Sequence, residues 1–326
     1  MRHWTTKYQM RFFIAVLQLS IILCYDTLKI LKSGLDRGPI IYFMGKTLDI
    51  NKALNKANKY IEKQNFDKAL PILEELLKKV EKSAPYKDDD YTEYHSFHEK
   101  LEGLLYEDFE KPIKEVCNIS EPISDLYLAY GTALLGLEHK EESKKALLTA
   151  LRWNPVHPEI YLKLADWSVM YGDAEDVRKY ASEALKWAFH MKDIGNCYYY
   201  FGWYTYQKEA YAAAFGYYHL CSDLGDGDRK FLFDGEQIMI AIQKKAEPPT
   251  LEEMEKYSIQ YNVPLAYNSK IVDFVLKMGD EAMADYEPRT AYYFYSILYE
   301  MTGSENVRET LDVLEEDHGI VPDVDM

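Results

Sequence analysis

Residues 124–157 read SDLYLAYGTALLGLEHKEESKKALLTALRWNPVH, a unit of 34 residues. Gly131 is its eighth residue, Ser143 its twentieth, Ala150 its twenty-seventh and Pro155 its thirty-second. Two antiparallel helices approach closely only where their facing side chains are small, which is what the eighth, twentieth and twenty-seventh places supply. Large residues at the fourth, seventh, eleventh and twenty-fourth places (Tyr127, Tyr130, Leu134, Leu147) fill the space beside them. Pro155 ends the second helix, because it has no N–H to donate and blocks further helical turns.

The spacing recurs downstream. A unit from Pro158 puts Tyr161, Leu164, Ala165 and Ala184 at the same places, with Val177 at the twentieth. Gly172-Asp173 forms its internal turn, and Asp173 can cap the helix that follows. A third unit from Gly195 starts three residues later than a strict period allows; it carries Tyr198, Phe201, Gly202, Ala214, Tyr218 and Cys221, but Asp226 replaces the closing proline. Residues 50–83 (Ala57, Ala69, turn at Gln64 to Asp67) and 272–305 (Gly279, Ala291, Tyr295, Leu298) are looser versions. The pattern predicts one amphipathic helix over 91–116 and two over 231–261. The latter two are divided by Pro248-Pro249, with Thr250 and Glu253 placed for a capping box.

These units resemble the tetratricopeptide repeat over roughly residues 50–316, most closely over 124–224. The resemblance implies an all-α chain, a right-handed α-solenoid of antiparallel helix pairs. The expected organisation is a basic apolar leader (1–43), an N-terminal helical region (44–120), three repeats (121–226), degenerate repeats (227–316) and an acidic tail (317–326).

Composition agrees with a packed soluble array: 326 residues, 48% hydrophobic and 28% charged, with only 16 glycines and 12 prolines for tight turns. The net charge of −16 argues against tracking phosphates, so no nucleic-acid partner is expected. The four cysteines (Cys24, Cys117, Cys197, Cys221) form no C-x-x-C pair and read as free thiols.

The leader differs from the rest. Six Lys/Arg against two acids give residues 1–43 a charge of +4, leaving −20 for the remainder of the −16 total. Residues 12–25 are apolar, shorter than the roughly 20 needed to span a bilayer and interrupted by Gln18. Three readings stay open: a membrane anchor through residues 12–25, a secretion signal, or translation that starts at Met44. The last makes the protein cytoplasmic; the first makes it membrane-anchored.

Phosphate-loop, dinucleotide-binding, zinc-protease and serine-hydrolase motifs are all lacking, so neither catalysis nor a cofactor is expected. His95 and His98, three apart on the expected 91–116 helix, could share a metal ion but fit a solvated face better. Asp223, Asp226 and Asp228 form an acidic loop whose twelfth position, Asp234 or Gln237 depending on the start, suits a calcium site poorly, so a turn between repeats is the better reading. Asn118-Ile119-Ser120 is a glycosylation acceptor that matters only in a secreted chain.

The resemblance also implies a partner groove lined by the first helix of each pair. The first repeat contributes Asp125, Leu128, Thr132 and Leu135. The second contributes Glu159, Leu162, Asp166, Val169 and Met170. The third contributes Asn196, Tyr199, Trp203, Tyr206 and Gln207. This lining is acidic, aliphatic and aromatic, and lacks the Lys and Asn clamp with which chaperone-binding relatives hold a C-terminal carboxylate. The expected partner is a protein or peptide with apolar anchors and a few basic residues. A membrane-tethered adaptor and a peptide-responsive sensor are the alternatives; residues 1–49 lack the basic recognition helix of a DNA-binding effector.

Overall fold

Small residues at helix crossings set the architecture. In the computed structural model, which describes residues 50–83, 86–224 and 243–321, the chain folds as an all-α solenoid of antiparallel helix pairs carrying one small βαβ insertion. The leader, Met44, the acidic loop beyond Leu224, the first helix expected in 231–261 and the last five residues lie outside the described residues.

Helices α1 (Ile50–Glu62) and α2 (Phe66–Ser83) form the first pair, turning through Gln64 at a φ of 55°. Three further pairs follow: α4 (Ile123–Gly136) with α5 (Lys140–Trp153), α6 (Pro158–Tyr171) with α7 (Ala174–Trp187), and α8 (Met191–Gln207) with α9 (Tyr211–Leu224). Each pair closes on its small residues. A β-carbon on Gly131 would lie 2.8 Å from the Leu147 side chain, and one on Gly202 would lie 2.6 Å from the Tyr218 ring. Ser143 donates to the Gly131 carbonyl at 2.9 Å, so the twentieth position is tied to the eighth by a buried hydrogen bond. Asp173 caps α7 by accepting from the Asp176 N–H at 2.9 Å.

Helix α10 (Leu251–Tyr261) begins at the Thr250–Glu253 capping box. The segment after it runs back across the earlier repeats. Tyr217 donates to the Val263 carbonyl at 3.1 Å, Tyr198 to the Leu265 carbonyl at 2.9 Å, and Asn268 to the Lys186 carbonyl at 2.9 Å. The last pair, α11 (Ser269–Ala284) and α12 (Pro288–Thr302), is covered by α13 (Glu305–His318). It closes in the same way, with Gly279 against Tyr295.

Residues 91–116 correct the sequence reading. They form strand β1 (Thr92–His95), helix α3 (Lys100–Glu110) and the start of strand β2 (Glu115–Asn118) instead of one helix. The strands pair in parallel, Thr92 with Glu115 through His95 with Asn118. Short-range capture by carboxylates overrides helical periodicity here. Asp89 accepts from the Tyr91 and Thr92 N–H groups at 2.8 Å, and Asp88 from Tyr94 at 2.9 Å, holding the backbone extended. Helix α3 stops where Lys111 turns left-handed (φ 48°) ahead of Pro112, whose predecessor cannot remain helical.

Helix α3 does not stack as a repeat. Leu101 and Leu105 are fully buried in one cluster with Val156, Trp187, Phe189 and the inner faces of α11 and α12. Phe109 packs against Trp187 and Phe274, each with ring centres 6.0 Å apart, and Tyr293 accepts from the Leu101 N–H at 3.3 Å. The C-terminal pair therefore rests on α3 and on the connectors ahead of α6 and α8. The Cys197 and Cys221 thiols are buried and that of Cys117 is half-buried. Among the described residues no helix is long and apolar enough to cross a membrane.

Candidate partner surface on the repeat array

The first helices of the three central pairs, α4, α6 and α8, carry the expected lining, and the structure divides it into three parts. Leu128 and Leu162 are buried. Leu128 packs with Ile160 and Leu164 of α6, and Leu162 belongs to the core shared by α6, α7 and α8. These two side chains join successive repeats and offer a partner no surface. Leu135 is buried as well, and Thr132 turns its hydroxyl back to the Leu128 carbonyl at 2.8 Å.

The second part is the N-terminal rim of these helices, which the chain itself covers. Asp125 Oδ2 lies 2.9 Å from Nδ1 of His98, in the loop between β1 and α3. Beside it sits Glu102 of α3, only 1% exposed. Its Oε1 is 2.6 Å from His157 Nδ1; its Oε2 accepts from Asn154 Nδ2 at 2.7 Å and from the backbone N–H groups of His98 and Glu99 at 2.7 and 3.1 Å. The carboxylate thus has four hydrogen-bond partners, one on Oε1 and three on Oε2, which is what makes a buried charge tolerable. Burial alone pulls the His157 imidazole down, but the Glu102 charge and hydrogen bond outweigh it and push the ring up to about 9. Burial likewise pushes the Glu102 carboxyl up, and His157 overcomes it, leaving Glu102 below the ordinary carboxylate range.

A second histidine repeats the device. His190, ahead of α8, places Nε2 3.0 Å from Glu99 and Nδ1 3.0 Å from Glu300 of α12. Burial opposes its charge, yet hydrogen bonds from both carboxylates raise it to about 10. The first turns of α4, α6 and α8 each carry an acid, Asp125, Glu159 and Asp193, spaced 34 residues apart. Burial, reinforced by the Glu159 charge, pushes Asp193 up to about 6.

Asp193 lies just outside a third unit that begins at Gly195, so the repeat pattern alone does not mark it. Helix α8 begins at Met191 and spans 17 residues where α6 spans 14, so three extra residues lie within the helix. The 34-residue recurrence of the acids was the signal that could have found it.

The third part is open. Val169 and Met170 at the C-terminal end of α6 are 40% and 50% exposed, and Glu159 and Gln207 are exposed. Asp166 is half-buried, accepting from the Tyr200 hydroxyl and lying 3.1 Å from Lys163 Nζ. Tyr199, Trp203 and Tyr206 are half-buried: Tyr199 rests near Tyr218 with ring centres 5.9 Å apart, Trp203 backs onto the core, and Tyr206 meets Tyr211 edge-on at 5.4 Å. Asn196 is half-buried on the same helix.

His95 and His98 do not share the solvated helix face expected of them, and they point apart. His95 is buried in β1, stacked on Phe97 at 5.2 Å and tilted against Tyr106 at 4.7 Å, whereas His98 faces Asp125. Burial pulls the His95 ring below its ordinary value. Among the described residues no group of three or more His, Cys, Asp or Glu is placed to hold a metal ion. Asn118 uses its side chain to accept from the Phe97 N–H at 3.1 Å.

No protein-family model and no curated protein matches the chain. Among solved structures it is similar to PilF of Pseudomonas aeruginosa, with a TM-score of 0.42 and 10% sequence identity, over 81% of this chain and 96% of that one.

Proposed function

We propose that this protein is a non-catalytic interaction scaffold that binds a protein or peptide along α6 and α8. The observation that carries the reading is the exposure of Val169 and Met170, two apolar side chains at 40% and 50%, on the first helix of the central repeat. Asp166 precedes them by three and four residues on the same helix, and Glu159 is exposed at its start, so an apolar anchor shares α6 with carboxylates. Burying such an anchor supplies most of a small interface's energy, while the carboxylates favour a nearby Lys or Arg and disfavour acidic competitors. The rim carrying Asp125 is taken by His98, so the partner lies toward the C-terminal ends of these helices. No bond is made or broken in this mechanism; the rigid repeats hold the surface ready and spare its ordering cost.

The test is selection of peptides from a displayed random library against the full chain. Enriched peptides should combine apolar residues with Lys or Arg. Their affinity should fall at least about tenfold, roughly 1.4 kcal/mol, in Met170→Asp and in Trp203→Ala. Thermal midpoints of both variants identify any loss that comes from unfolding. Enrichment of acidic peptides, or binding indifferent to both substitutions in folded protein, would refute the reading.

A further inference from the structure

The outer face of α5 departs from the character of the molecule. Glu141, Lys144, Lys145, Leu148, Thr149 and Arg152 line a shallow hollow of about 440 Å³. Their spacing follows i, i+3, i+4, i+7, i+8 and i+11, one continuous helix face. Three cations stand against one acid there, in a chain of net charge −16. Leu148, at the centre, is 44% exposed. Lys144 is propped 4.0 Å over the Trp167 ring, and Arg152 is held 2.6 Å from Asp88, so the wall is preorganised. Lys145 has no carboxylate partner among the described residues.

Helix α13 presents the complement. Glu309, Asp312, Val313 and Glu316 follow i, i+3, i+4 and i+7 on its exposed side, and Val313 is 56% exposed. Arg308 lies 2.6 Å from Asp312 on the same helix, which leaves Glu309 and Glu316 without a cation among the described residues. Both faces have one apolar side chain framed by charge, cationic on α5 and anionic on α13. The hollow is lined by α5 alone, so no α13 residue of the same chain fills it.

We propose that the outer face of α5 receives α13 of a second copy of this chain, with Val313 against Leu148 and Glu309 and Glu316 against Lys144 and Lys145. The two patches differ, so the contact either repeats head to tail or closes reciprocally in a twofold dimer. One helix face buries less than the roughly 800 Å² per partner of a standard interface, so the association is weak and salt-sensitive. It uses neither Met170 nor Trp203, and its fate is independent of the groove.

Sedimentation of the full chain tests it. At low salt the weight-average mass should climb above the 38.2 kDa of the monomer as concentration rises. The useful range is about 10 µM to about 1 mM, where complexes worth roughly 4–7 kcal/mol are half-formed. Added salt should reverse the climb. Lys144→Glu/Lys145→Glu and Glu309→Lys/Glu316→Lys should each abolish it, and the four changes in one chain should restore it; circular dichroism verifies that each variant is folded. A mass fixed at the monomer value overturns the proposal. So does self-association that survives either double substitution, or a fourfold swap that fails to restore it.

Discussion

Gly131, Gly202 and Gly279 each face one large side chain across their own pair: Leu147, Tyr218 and Tyr295. In the central repeat the corresponding residues are Ala165 and Ala181, both fully buried. Close approach is thus kept by trading volume within a pair, a glycine for a large neighbour or two alanines together. Gly131→Ala should cost about 1–3 kcal/mol through overpacking, and Leu147→Ala about 2–5 through a cavity. The double variant should lose less than the two singles together, because the shortened side chain makes room for the new β-carbon. Urea unfolding of the three variants measures this coupling; strictly additive losses would show that the two positions do not compete. This level of the fold was legible in the chain, since small residues at a fixed period report helix crossings directly. What spacing could not show was that Leu128 and Leu162 turn into the seam between repeats, since a position along a helix does not say how far the next helix advances over it.

The β1–α3–β2 segment is where local pattern misleads. Its apolar residues suit a helix, but Asp88 and Asp89 capture backbone N–H groups ahead of β1, and the strands close on each other across α3. The outer edge of β1 is blocked at the same time: Ser96 donates to the Trp153 carbonyl at 2.9 Å and Arg152 to the Tyr94 carbonyl at 3.1 Å, which protects a two-stranded sheet from further pairing on that side. The seating of α3 is not legible in the sequence, because the partners of His98, Glu102 and Glu99 are 27, 55 and 91 residues away. Glu102 is the residue on which the segment turns. Glu102→Gln should cost about 3–5 kcal/mol, because it strands a charged His157 in the interior. Glu102→Leu combined with His157→Leu should recover part of that loss by removing both charges. Denaturant titration of the single and double variants decides it; a double variant as unstable as the sum of its singles would mean that the pair is not coupled.

At the scale of the molecule the same histidines set the response to pH. His157 faces Glu102, Glu159, Asp125 and Asp193; His190 faces Glu99, Glu300 and Asp193. Both rings are raised, to about 9 and about 10 from an ordinary 6.5. Their stabilisation is therefore complete below about pH 6.5 and is lost as pH climbs through 9 and 10. Asp193, raised to about 6, acts in the same sense at lower pH, favouring the fold below its ordinary 3.8 and losing that contribution as pH rises through 6. Glu102 and Glu300 are lowered, so they contribute above 4.5 and lose their contribution in acid. The thermal midpoint should fall by several degrees, roughly 5–10 °C, between pH 6.5 and pH 10, and this alkaline limb should flatten in His157→Asn. Calorimetry across that range measures both; a midpoint unchanged up to pH 10 would refute the assignment. One consequence of α3 reaches further. Repeat arrays whose units touch only their neighbours melt piecemeal, from the ends inward. Here α3 ties the connectors ahead of α6 and α8 to the last helix pair, so contacts distant along the chain close into a ring. Such a molecule cannot fray one unit at a time without breaking the ring. Helix α3 serves as its keystone, and cutting it out would leave a string of separable pairs that lose their structure over a broad span of temperature.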